Sequence, residues 1–184
     1  MFFDFDIRKT ISAVAFLMKR EGGRLDMFLT LKMLYLADKE ALVKWGKPIT
    51  GDSFVSMDKG PVLSRTYNLF KGKDSEYQAQ WNAAFTERLD NSIYPNGAVD
   101  LELLSEREME ALETARIQIN SLAPGAVADW LHRICPEWQD PQGSSIPIDP
   151  DTILRKAGKT ENELRIMDAS NEAFRYAKAL INNG

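Results

Sequence analysis

From Lys32 to Val62 the chain reads KMLYLADKEALVKWGKPITGDSFVSMDKGPV. Phe28, Leu31, Tyr35, Leu42 and Trp45 recur at helical spacing, and Asp38 falls on the same stripe, after Tyr35 and before Leu42. A carboxylate on an apolar stripe requires a buried partner, which is a catalytic neighbour, a metal, or backbone amides that lack an acceptor. Gly46 stops this helix, Gly46-Lys47-Pro48 and Thr50-Gly51-Asp52 are turn-like, Phe54 to Met57 is extended, and Gly60-Pro61 marks a new helix start.

Upstream, Asp6 caps a helix running to about Glu21, with Ile7, Ile11, Val14, Ala15 and Met18 on one face and Gly22-Gly23 ending it. Leu29, Leu34, Leu36 and Val43 widen the stripe of the next helix, Asp26 to Trp45, which is therefore expected at the centre of the fold. Downstream, a helix begun after Pro61 runs through Ser64 to Phe70. Glu76 to Leu89 is ambiguous, with Tyr77, Trp81 and Phe85 at helical spacing. Asn91 to Tyr94 and Ala98 to Leu103 about Pro95-Asn96-Gly97 predict a hairpin, which with the Phe54 strand makes a small antiparallel sheet. Ser105 and Glu108 form a capping box for a helix to about Asn120. A helix from Ala126 to Ile134, a surface loop from Pro136 to Pro150, a short helix from Asp151 to Ala157 and a last helix from Thr160 complete the reading. The expected fold is mainly α, a single helical domain over residues 1–184 around a central buried helix, with a small antiparallel β-sheet or hairpin.

With 184 residues, 44% of them hydrophobic, the chain is long enough for one substantial core. The formal charge of −4 supplies no global positive field, so protein partners are favoured over nucleic acid. Cys135 is the single cysteine, which agrees with a reducing compartment. The opening MFFDFDIRK carries acids where a secretory leader carries basic residues, and Ile11 to Met18 is too short to span a bilayer. A cytoplasmic protein with no membrane role is expected.

Asp38 has no second acid or histidine at fixed spacing on its own helix, and Lys39 and Glu40 are expected to point elsewhere. It is better read as the acceptor for orphan amides at the start of the Val62 helix or in the Thr50-Gly51-Asp52 turn. Lys32 packs its stem and reaches a carbonyl or an acid with its amine. His132 and Cys135 are too few for a zinc site, and the glycines lack the spacing of a phosphate loop, so no catalytic residue, metal or cofactor is assigned. Lys44, Lys47, Lys59, Lys71 and Lys73 are interleaved with Asp52, Asp58 and Asp74 and read as a solvated rim. Lys59, Tyr67, Trp81 and Trp138 are the candidates for a partner-binding surface, whereas Trp45 and Trp130 read as core.

Three elements then line up: K-x-L-Y-x-A-D at Lys32, Leu34, Tyr35, Ala37 and Asp38, P-I-T-G-D at Pro48 to Asp52 with Thr50 and Gly51 in the turn, and G-P-V at Gly60, Pro61 and Val62. With Leu104-Ser105-x-x-Glu108, and with His132, Pro136 and Trp138 further on, they resemble in order and spacing the Panacea-domain, SocA-like antitoxins of bacteria and their phages. The resemblance covers most of the chain. It implies a protein without enzymatic activity that neutralises a cognate toxin by direct binding, in the setting of prophages and phage defence. In one branch it also implies an adaptor that delivers the toxin to a AAA+ protease. It implies no appended DNA-binding module. Two alternatives stay open: an enzyme using Asp38 and His132 from one pocket, and a nucleic-acid-binding regulator using one continuous face of the lysines near Gly60.

Overall fold

The computed structural model describes residues 1–86, 89–97, 99 and 101–182. Asp6 caps α1 (Ile7–Arg20) by accepting from the amides of Arg8 and Lys9. Asp26 caps α2 (Met27–Trp45) through the Leu29 amide at 2.9 Å, and Gly46, at φ +74°, closes it in the left-handed conformation that glycine adopts without strain. Thr30 through Asp38 are all buried, so α2 is enclosed around its whole circumference. It is the central helix expected from its sequence. α1, α5 (Glu106–Asn120) and α7 (Pro150–Lys156) pack around it.

The fold is mainly helical, with two small antiparallel sheets. In the larger, β2 (Phe54–Ser56) is flanked by β3 (Val62–Leu63) and β5 (Ile146–Ile148), with Phe54 opposite both Leu63 and Ile148. In the smaller, β1 (Leu25–Asp26) pairs with β4 (Ser92–Ile93).

Local details differ from the sequence reading in three places. The residues after Pro61 form β3, and α3 (Ser64–Phe70) begins only at Ser64. Its first amides find their acceptor in Asp52, rather than in Asp38 as the sequence reading allowed. The stretch from Pro136 to Pro150 is not all loop, because Ile146–Ile148 pairs with β2 as an edge strand, where Pro147 is tolerated. The hairpin turn is Asp90-Asn91, at φ 45° and 64°, closed by reciprocal Leu89 and Ser92 hydrogen bonds of 2.8 Å. Asp and Asn both tolerate the left-handed region, so this pair supplies the turn. Asn96 instead donates its side-chain amide to the carbonyls of Asn82 and Phe85 at the end of α4 (Gln78–Ala84). Ser92–Ile93 pairs with β1; Ala98 and Asp100 of the expected second arm lie outside the described residues.

Glu108 closes the capping box on the Ser105 amide at 2.9 Å and also receives Lys9. After α6 (Val127–Ile134), the chain returns under β2 and ends in α8 (Glu161–Asn182). Leu164, Met167 and Asn171, whose amide donates to the Gly46 carbonyl at 2.8 Å, hold the first half of α8 to the body. Among the described residues no helix is long and apolar enough to cross a membrane.

Candidate functional site

Asp38 spends its carboxylate on the turn after its own helix. Oδ1 accepts from the amides of Ile49 at 3.0 Å and Thr50 at 3.1 Å, and Oδ2 accepts from the Thr50 hydroxyl. Thr50 Oγ1 in turn accepts from the Asp52 amide at 3.1 Å. Asp52 continues the chain of bonds: its carboxylate takes the amides of Ser53, Arg65 and Thr66 and the Thr66 hydroxyl. The two sets of orphan amides are thus divided between two acids, Asp38 serving the turn and Asp52 the helix start. Burial pushes the Asp38 carboxyl up to about 7, against the pull of its hydrogen bonds, and raises Asp52 for the same reason. Gly51, at φ +69°, lies so close to the Asp4 carbonyl that a Cβ would sit 2.1 Å from it. The Thr50 carbonyl accepts from the Asp6 amide at 2.8 Å, so this turn also fastens the N-terminal segment.

Lys32, only 2% exposed, donates to the carbonyls of Gly60 at 2.8 Å and Pro61 at 3.0 Å. No carboxylate pairs with it among the described residues. Burial lowers its pKa to about 7. Its amine also lies 5.4 Å from the centre of the Phe28 ring. Gly60, at φ +92°, shapes the β2–β3 connection so that both carbonyls face the lysine. Lys32 lines a cavity of about 390 Å³ together with Phe28, Leu31, Met57, Lys59, Tyr67 and Lys71. The structure therefore brings together three positions singled out in the sequence for different reasons, Lys32, Lys59 and Tyr67.

A second buried cluster joins α2 to the segment after α6. Tyr35 donates its hydroxyl to Glu137 Oε1 at 2.5 Å, and Lys39 Nζ lies 2.7 Å from the same oxygen. Lys39 does not point away from the site; its salt bridge reaches across to Glu137. Burial, reinforced by the Glu137 charge, drives the Tyr35 pKa well above its ordinary value. His132 stacks on Trp138 with ring centres 3.7 Å apart, and Trp138 donates Nε1 to the Met57 carbonyl at 2.9 Å. Cys135 is buried, and desolvation pushes its thiol up to about 12, which disfavours the thiolate. Among the described residues, His132 Nε2 and Glu137 Oε2 are buried without a hydrogen-bond partner.

These placements revise the sequence expectations. Trp81, expected at a partner surface, is 1% exposed and packs between Phe70 and Phe85 at ring distances of 4.9 and 4.8 Å. Trp138 is half-buried and pins Met57 rather than standing free in a loop. Leu34 is core, and Pro61 is buried with its carbonyl on Lys32. Asp38 and His132 do not meet: no hydrogen bond joins them, and each is committed to other neighbours. Glu137 was missed in the sequence because an isolated acid in a Pro-rich stretch carries no local signal. Only its 102-residue separation from Tyr35, closed by the fold, reveals its role. Among the described residues, no group of three or more His, Cys, Asp or Glu is placed to hold a metal.

Residues 31–139 match the family described as antitoxin SocA-like, Panacea domain. No curated protein and no solved structure matches the chain.

Proposed function

This chain belongs to the SocA-like antitoxin family defined by the Panacea domain, and on that premise we propose that it neutralises a cognate toxin in the cytoplasm by binding it directly. What supports a binding protein over an enzyme is that the charged groups of the site are engaged inside the fold. Asp38 and Asp52 hold backbone amides, Lys32 holds carbonyls and Glu137 holds Tyr35 and Lys39. Carboxylates so engaged are committed to holding the fold rather than aimed at a substrate. In this reading the matched core, with the segments outside it as one domain, presents a partner surface to the toxin. Nucleic acid and membrane play no part in it.

The test is co-expression with the product of the neighbouring gene. Growth should be restored, and the two proteins should co-purify in fixed stoichiometry. Absence of both rescue and co-purification would refute the reading. Delivery of the toxin to a AAA+ protease, which the resemblance also implies, is separable in the same experiment. Delivery requires the toxin level to fall on co-expression, whereas neutralisation by binding alone leaves it unchanged.

A further inference from the structure

We propose that the cavity around Lys32 is the toxin-docking groove, and that it takes a segment of the toxin carrying a carboxylate beside an apolar side chain. This inference rests on the antitoxin reading above.

The argument is one of charge. Lys9, Lys39, Lys44 and Lys159 each pair with a glutamate of this chain. Lys32, Lys59 and Lys71 share one groove, and among the described residues none of them has an ion-pair partner. The acid at the rim, Asp58, accepts from the Gly143 amide at 2.9 Å. A protein of net charge −4 thus carries a pocket lined by three lysines and one acid, with no ion pair at its floor among the described residues. A carboxylate entering it would meet an amine already oriented by two carbonyls and would hold it in the ammonium form, the setting in which a charge-assisted bond is strongest.

The walls define the rest of the occupant. Phe28, Leu31, Met57 and Val62 offer apolar surface, and the rings of Phe28 and Tyr67 stand beside Lys32 and Lys71. About 390 Å³ is room for one or two anchoring side chains. A nucleic-acid strand also offers anions and rings, but its many phosphates would face the acidic remainder of the chain. A peptide with a single carboxylate and an apolar anchor meets only the groove. The outer face of α8, with Ile166, Tyr176 and Leu180 exposed, is more apolar, but its acids and arginines alternate along the helix and select no partner.

The test uses the full chain and the purified product of the neighbouring gene. Replacing Tyr67 by the photo-crosslinker p-benzoylphenylalanine should trap that protein, whereas the same group in place of Tyr176 should not. Lys59→Glu combined with Lys71→Glu should weaken binding by about a hundredfold while the melting temperature stays that of the wild type. Lys59→Ala with Lys71→Ala serves if the double reversal does not fold. Crosslinking from position 176 instead of 67, or unchanged affinity in the folded double variant, would overturn the groove and leave the antitoxin reading standing. A wild-type chain that neither binds nor rescues would overturn both. Displacement of the bound protein by an oligothymidylate strand would overturn a protein occupant.

Discussion

Tyr35 and Glu137, 102 residues apart in the chain, share a 2.5 Å hydrogen bond in the core. This bond fastens the central helix to the segment that carries His132, Cys135 and Trp138, and Lys39 completes it from one turn further along α2. The two halves of the family pattern are therefore one structural unit.

Removing the acid leaves the Tyr35 hydroxyl and the Lys39 amine without their shared acceptor. Glu137→Ala is expected to cost about 2–3 kcal/mol of folding stability, and Tyr35→Phe about 1 kcal/mol, with the double variant less destabilised than the sum. Urea melts of the two single variants and the double variant measure this. Strict additivity would show that the two residues do not act together.

Asp38→Ala would orphan the amides of Ile49 and Thr50 and the Thr50 hydroxyl. Each buried donor left unpaired costs about 1–3 kcal/mol, so the variant should lose much of its stability in denaturant melts. A loss smaller than about 1 kcal/mol would mean that the turn finds other acceptors.

Two glycines should respond differently. Gly51→Ala drives a Cβ against the Asp4 carbonyl at 2.1 Å in a left-handed conformation, and neither backbone can yield easily. Gly60→Ala meets the Leu131 side chain at 3.3 Å, which can give way, so its cost is chiefly that of its φ of +92°. Thermal melts should rank Gly51→Ala as the more damaging. The reverse order would contradict the packing of the turn against the N-terminal segment.

The central helix, the Asp6 cap, the Gly46 stop and the capping box were legible from sequence, because each is set by residues within one or two turns of one another. Of the two sets of amides that the sequence offered Asp38, it takes those beside the Thr50 turn and leaves the helix start to Asp52. The division of labour between Asp38 and Asp52 was not legible, nor was the pairing of Ile146–Ile148 with β2, because each joins segments whose proximity only the fold creates. Trp81 misled because composition alone does not separate an anchor at an interface from a ring in the core; its neighbours Phe70 and Phe85 decide. The lysine groove was hidden for the same reason. Lys59 and Lys71 look like members of a mixed rim until α2 places Lys32 beneath them.

Stability should pass through a minimum near pH 7. Asp38 is raised from 3.8 to about 7 by burial, so the native state holds its proton longer than the unfolded chain does. The stability this provides is complete below pH 3.8 and is lost as pH rises through 7. Lys32 is lowered from 10.5 to about 7, so the native state releases its proton earlier, and stability returns as pH rises above 7. Above about pH 9 the buried Cys135 thiol, raised to about 12, begins to work the other way. Urea melts at pH 5, 7 and 9 should show the dip. Asp38→Asn should flatten its acid side and Lys32→Met its basic side. A smooth maximum at pH 7 in the wild type would contradict the burial of these two groups.

The most direct measurement is growth rescue by Asp38→Asn against the neighbouring gene product, at matched levels of soluble protein. The amide oxygen keeps the Ile49 and Thr50 amide bonds, and the Thr50 hydroxyl has a lone pair for the new N–H but loses the acceptor for its own proton, so the variant should stay folded at a cost of about 1–3 kcal/mol. If the motif is scaffold and the function is binding, it should rescue growth as the wild type does. An Asp38→Asn protein that is folded at the growth temperature yet restores no growth would mean that the carboxylate acts on a substrate.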